Sequence, residues 1–137
     1  MIQAILYEDE VGRLVAYSAM GHAGYARRGH DDIVCAAVSI LGATVVNSLE
    51  ALCGVSTDDT VIANDSGMLS FVLPEDLDLC QIHDAGLLMH TLQQGLRDIE
   101  GQYPKNLKLS TRPIDDLRSS KNGGRRNDQA RSSAIRS

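Results

Sequence analysis

Residues 33–53, IVCAAVSILGATVVNSLEALC, are almost entirely apolar or small and carry one charge, Glu50. This stretch constrains the fold more than any other. It is too long for a strand, so length selects a helix despite the β-branched Ile40, Val45 and Val46. Asp32 in front of it is a good N-cap, and Gly54 behind it suits the left-handed C′ position. A helix apolar nearly all round is expected to be buried on most sides. In a chain of 137 residues that calls for a sheet on one side and a second helix or a partner subunit on the other.

The flanking segments supply the sheet. The runs 2–7 (IQAILY) and 13–20 (RLVAYSAM) enclose the acidic, Gly-containing stretch Glu8–Gly12 and read as a β-hairpin. DTVIAN (59–64) and GMLSFVL (67–73) flank Asp65-Ser66 as a second hairpin, closed by Pro74. Between 78 and 100, apolar residues from Leu79 to Ile99 recur at three and four, the spacing of an amphipathic helix. Gly86 and Gly95 weaken it locally and permit close packing. LKLST (107–111) alternates as a last short strand. The expected fold class is α+β: a small two-layer domain, an antiparallel sheet from two hairpins packed with two long helices.

Charge divides the chain in two. Residues 1–113 carry a net −8 and residues 114–137 a net +3. The first part is read as one domain and the second, polar and basic, as a tail too poor in apolar residues to fold. The acidic body and the aromatic content of 4% argue against direct nucleic-acid binding by the core. No wholly apolar run reaches the roughly 18 residues of a bilayer span. The N-terminus MIQAILYEDE lacks a basic leader and a cleavage site, so no membrane association and a cytoplasmic location are expected. Three dispersed cysteines, Cys35, Cys53 and Cys80, suit neither a disulfide framework nor a zinc site. No cofactor and no metal are expected.

The chemistry concentrates in residues 21–39. His22 stands at a strand end, a glycine-rich loop follows, and Cys35 falls at the third position of the long helix. There the helix dipole favours a thiolate, and backbone N–H groups at the helix start are candidate oxyanion donors. The loop lets His22 fold back as base and acid. Ser39 shares a face with Cys35, and Asp32 is placed to orient His22, though not with the oxygen that caps the helix. The plainer reading of a cysteine in an apolar helix is packing. It is applied to Cys53 and Cys80, and His83 and His90, seven apart, are read as surface or packing histidines.

GHAGYARRGHDDIVCAAVS, residues 21–39, resembles the signature of the bacterial ribosomal-processing cysteine protease family, Prp. That pattern joins GHAGYA to DIVCAAVS across a short loop, and the likeness extends over about residues 1–112. Here the doubled Asp31-Asp32 makes the loop one residue longer than the family's. The resemblance implies a catalytic dyad of His22 and Cys35 supported by Asp32 and Ser39. It also implies a substrate loop that includes Gly21, Ala23, Gly24, Tyr25 and Gly29. It further implies a homodimer and a loop that is mobile until substrate binds. The implied substrate is a large-subunit ribosomal protein precursor, the one numbered twenty-seven, whose short N-terminal extension is removed during ribosome assembly. The competing reading is a non-catalytic, ribosome- or RNA-associated homodimeric module, suggested by the basic tail on a small α/β body.

Overall fold

The computed structural model describes residues 1–21, 32–64 and 67–119. Strands β1 (Ile2–Glu8) and β2 (Leu14–Met20) form the first hairpin, and helix α1 spans Ile33–Cys53. Strands β3 (Ile62–Ala63) and β4 (Leu69–Val72) follow, then helix α2 (Leu79–Gln102) and strand β5 (Leu107–Pro113). The five strands lie in the order β3-β4-β2-β1-β5. The hairpins pair antiparallel, and β2 joins β4 antiparallel, but β5 runs parallel to β1, from Ile2 beside Leu107 to Glu8 beside Pro113. The sheet is therefore mixed. Helix α2 carries the chain back to the starting end of the sheet, and this long return makes a parallel neighbour possible.

Local chemistry sets the element ends. In the β1–β2 turn, Asp9 Oδ1 accepts from the N–H groups of Val11 and Arg13, and Oδ2 pairs with Arg13 Nε at 2.8 Å. Burial pushes the Asp9 carboxyl up, but these bonds and the guanidinium charge outweigh it and hold the group below its ordinary range. Strand β3 has two residues where a longer strand was expected. Thr60 explains this: its Oγ1 donates to the Val72 carbonyl and accepts from the Val72 N–H, at 2.7 and 3.0 Å, so a side chain replaces the ladder there.

Helix α1 has the expected bounds. Gly54 closes it at φ 63, with its N–H on the Glu50 carbonyl and that of Val55 on Leu49. Helix α2 begins with a reciprocal cap between Asp78 and Gln81. Gln81 Nε2 also donates to the carbonyls of Cys53 and Gly54, tying the start of α2 to the end of α1.

One face of the sheet, with Ile2, Ala4, Leu6, Tyr17 and Ala19, shares a core with Val34, Val38, Val45 and Leu49 of α1 and Ala85, Met89, Leu92 and Leu96 of α2. Gly42 of α1 lies against the Tyr17 ring, where a Cβ would make ordinary contact, 3.6 Å from Tyr17 Cε1. Gly95 sits against Leu41, where a Cβ would approach Cδ2 to 2.6 Å, whereas Gly86 has nothing within 4 Å. Of the two glycines, only Gly95 serves helix packing.

The structure departs from expectation in three further respects. Helix α1 is buried on one stripe rather than most sides: Ile33, Ile40 and Leu52 are 50%, 68% and 74% exposed. By length and composition α1 is also apolar enough to cross a bilayer. Its buried stripe nonetheless packs on the sheet, as in the core helix of an α+β domain. Finally, the chain stays packed past 113. Residues 114–119 are helical, and Ile114, 6% exposed, covers Ile5, Tyr7 and Ala16 on the far face of the sheet. Arg118 reaches Glu75 at 3.0 Å. The rest of the expected tail, residues 120–137, lies outside the described residues.

Candidate active site

The start of α1 gathers three of the expected residues. Asp32 is extended (φ −96, ψ 107) and caps the helix: Oδ1 accepts from Val34 N at 3.0 Å and from Cys35 N at 3.1 Å. Its own carbonyl accepts from Ala36 N at 3.0 Å. Both of these bonds fall on Oδ1. Removing such a cap typically costs about 1 kcal/mol.

This arrangement corrects the expectation of free donors at the helix start. The N–H groups of Val34 and Cys35 are already bonded to a carboxylate. At Cys35 the field of the helix dipole and the charge of Asp32 therefore oppose each other.

Cys35 is half-buried, with its side chain against the main core. One turn on, Ser39 presents a buried Oγ with no hydrogen-bond partner. Beside it lies Gly67, at φ +80, where a Cβ would stand 3.8 Å from that oxygen. The β3–β4 turn is held by Gly67 N on the Asn64 carbonyl and Met68 N on Asn64 Oδ1, and it forms a second wall next to Ser39. Sequence reasoning missed this neighbour, because nothing in the spacing shows that Gly67, 28 residues downstream, lies beside Ser39.

Gly21 ends the first hairpin for steric reasons. Its φ is +93, and a Cβ would meet the Met1 carbonyl oxygen at 2.5 Å. His22, Ala23, Gly24, Tyr25 and Gly29 lie outside the described residues.

The other candidate groups separate from this site. Cys53 is half-buried at the far end of α1, and burial first, then the Asp84 carboxylate, push its thiol up. Cys80 is exposed rather than packed. His83 and His90 are exposed and face Asp84 and Gln93. Among the described residues no group of three or more His, Cys, Asp or Glu is placed to hold a metal. A cavity of about 320 Å³ lies between the β1–β2 turn, α2 and residues 114–118, lined in part by Leu14, Val72, Leu77, Ile82 and Ile114. None of Asp32, Cys35 or Ser39 lines it.

Residues 1–108 match the family model described as Cysteine protease Prp. A ribosomal processing cysteine protease Prp from Bacillus subtilis (strain 168) is 32% identical over 114 residues, 83% of this chain and all of that protein. The crystal structure of the S. aureus ribosomal processing protease Prp with a covalently linked product peptide superposes with a TM-score of 0.67 at 25% identity, covering 81% of this chain and 99% of that one. The same protease with a substrate peptide gives 0.65 at 26% identity, with the same shares covered. A Streptococcus mutans protein gives 0.68 at 28% identity, over 82% of this chain and 95% of its own. With strands β1 to β4 and both helices inside the matched residues 1–108, the chain belongs to the Prp family of ribosomal processing cysteine proteases.

Proposed function

We propose that this protein is an endopeptidase that removes the N-terminal extension of a large-subunit ribosomal protein precursor during ribosome assembly, with Cys35 and His22 as its dyad. The observation that carries this reading is the position of Cys35, half-buried in the first turn of a capped helix. It gains support from a relative solved with a product peptide covalently linked.

In the mechanism, His22 takes the Cys35 thiol proton and the sulfur attacks the scissile carbonyl; a carbon–sulfur bond forms and the carbonyl π pair moves onto oxygen. Collapse expels the amine, which takes its proton from His22. Water then attacks the thioester and gives a proton to His22; the carbon–sulfur bond breaks, the acid leaves, and the Cys35 thiolate takes that proton back. Ser39 supports the site: its unpartnered buried hydroxyl is free to bond an arriving group. Asp32 holds the helix start, and the segment that begins at Gly21 receives the peptide. The acidic body attracts a basic ribosomal substrate. The reaction belongs in the cytoplasm, where ribosomes assemble.

The working form is a homodimer. The face of α1 that bears Ile33, Ala36, Ala37 and Ile40 is exposed, uncharged and built of small and branched apolar residues, which suits contact with a second copy.

A peptide spanning the cleavage site tests the chemistry. Wild type should cleave it, and Cys35→Ala should not; cleavage by Cys35→Ala at the wild-type rate overturns the mechanism. His22→Ala should lower kcat and change the pH–rate profile, and an unchanged profile removes His22 from the scheme.

A further inference from the structure

Asp32 and the reaction compete for the same donors. Nucleophilic attack by Cys35 puts negative charge on the former carbonyl oxygen, and that oxygen needs N–H groups close to the attacking sulfur. The nearest backbone donor is the N–H of Cys35 itself, with that of Val34 beside it. Both are held by Asp32 Oδ1, at 3.1 and 3.0 Å. A carboxylate and an oxyanion cannot share two donors, because like charges at contact distance repel.

We propose that the Asp32 carboxylate gates the active site: it occupies the oxyanion donors in the free protein and must swing out before a peptide carbonyl is attacked. The proposal deepens the cysteine-protease reading and rests on Cys35 being the nucleophile. Asp32 then acts as a positioning residue whose departure, rather than its presence, completes the site.

The geometry makes the exchange feasible without unwinding α1. The main-chain bond from Ala36 N to the Asp32 carbonyl, 3.0 Å, holds the first turn independently of the side chain. Asp32 is the last residue before the helix, half-buried and extended, so rotation of its side chain leaves the helical backbone intact. An oxyanion takes over the two N–H bonds that the carboxylate gives up, an exchange that proceeds only when a carbonyl is seated. A resting protease with its donors occupied is thereby kept from attacking peptides that do not lodge in the site.

The test uses the full chain and a peptide aldehyde with the cleavage-site sequence. Sulfur adds to the aldehyde carbon, the π pair moves to oxygen, and the resulting hemithioacetal oxygen seeks the same donors as the reaction's oxyanion. The aldehyde should bind Asp32→Gly roughly tenfold more tightly than wild type, the scale of a charge-assisted hydrogen bond. The affinity of the cleaved product peptide should not change. Asp32→Asn should fall between the two, since a neutral amide oxygen holds the donors less strongly. Asparagine is also a strong N-cap, so it keeps the test open if the glycine variant fails to fold. Aldehyde affinity unchanged or weakened in the folded variants overturns the gate. A ¹³C label at the aldehyde carbon separates the two levels. No hemithioacetal signal in wild type sinks the nucleophile reading and the gate with it. A signal in wild type with no gain on removing the carboxylate sinks the gate alone.

Discussion

Cys35, Cys53 and Cys80 sit in three different surroundings: a helix start, a helix end in the field of the Asp84 carboxylate, and an exposed first turn of α2. Their reactivity should differ accordingly. In a Cys80→Ser background, iodoacetamide near neutral pH should label Cys35 before Cys53, because burial and Asp84 disfavour the Cys53 thiolate. Peptide mapping of the labelled protein reads the order, and faster labelling of Cys53 would contradict it. Tyr17 makes a different point about buried polar groups. It is 1% exposed, stacks edge-on against Phe71 at 5.9 Å, and its hydroxyl has no partner. Burial alone raises its ionisation far above the ordinary tyrosine range. Tyr17→Phe should therefore be neutral or stabilising by up to about 1 kcal/mol in urea unfolding, since it removes an unsatisfied group and keeps the ring. A loss of more than that would reveal a partner for the hydroxyl.

The two glycines of α2 look alike in the sequence, and their surroundings separate them. Gly86 has open space where a Cβ would go, so Gly86→Ala should stabilise the protein by about 1 kcal/mol through helix propensity. At Gly95 an added Cβ would lie 2.6 Å from Leu41 Cδ2, so in Gly95→Ala the same gain is offset by displacing Leu41 from the α1–α2 contact. Thermal melts of the two variants should differ, with Gly86→Ala the higher; equal melting points would show that Leu41 moves freely. In the strands, the alternation of β1 and β2 was legible because the pleat repeats every two residues. The length of β3 was not, since it depends on Thr60 meeting Val72 twelve residues away.

At the scale of the molecule, residues 114–119 belong to the fold. Deleting 114–137 should lower the melting temperature further than deleting 120–137 does. Ile114→Ala alone should cost about 2 kcal/mol by uncovering the outer face of the sheet. If both truncations melt alike, the segment contributes nothing. The proposed dimer face of α1 is tested by Ile40→Asp: wild type should sediment as a dimer and the variant as a monomer, and a monomeric wild type or an unchanged variant overturns that face. By itself, the sequence determined what repeats locally: the capped apolar helix, the amphipathic α2, the first hairpin, and the Gly21–Ser39 signature that carries the family. Capping, periodicity and turn chemistry act between neighbours in the chain, so a linear reading finds them. Only the tertiary structure decided which face of α1 is buried, that β5 returns parallel to β1, that the β3–β4 turn walls Ser39, and that Ile114 is core. These depend on contacts between segments far apart in the chain. The Asp32 bonds to Val34 and Cys35 mark the boundary: the cap was readable, but its conflict with the oxyanion emerges only once the donors are seen to be taken.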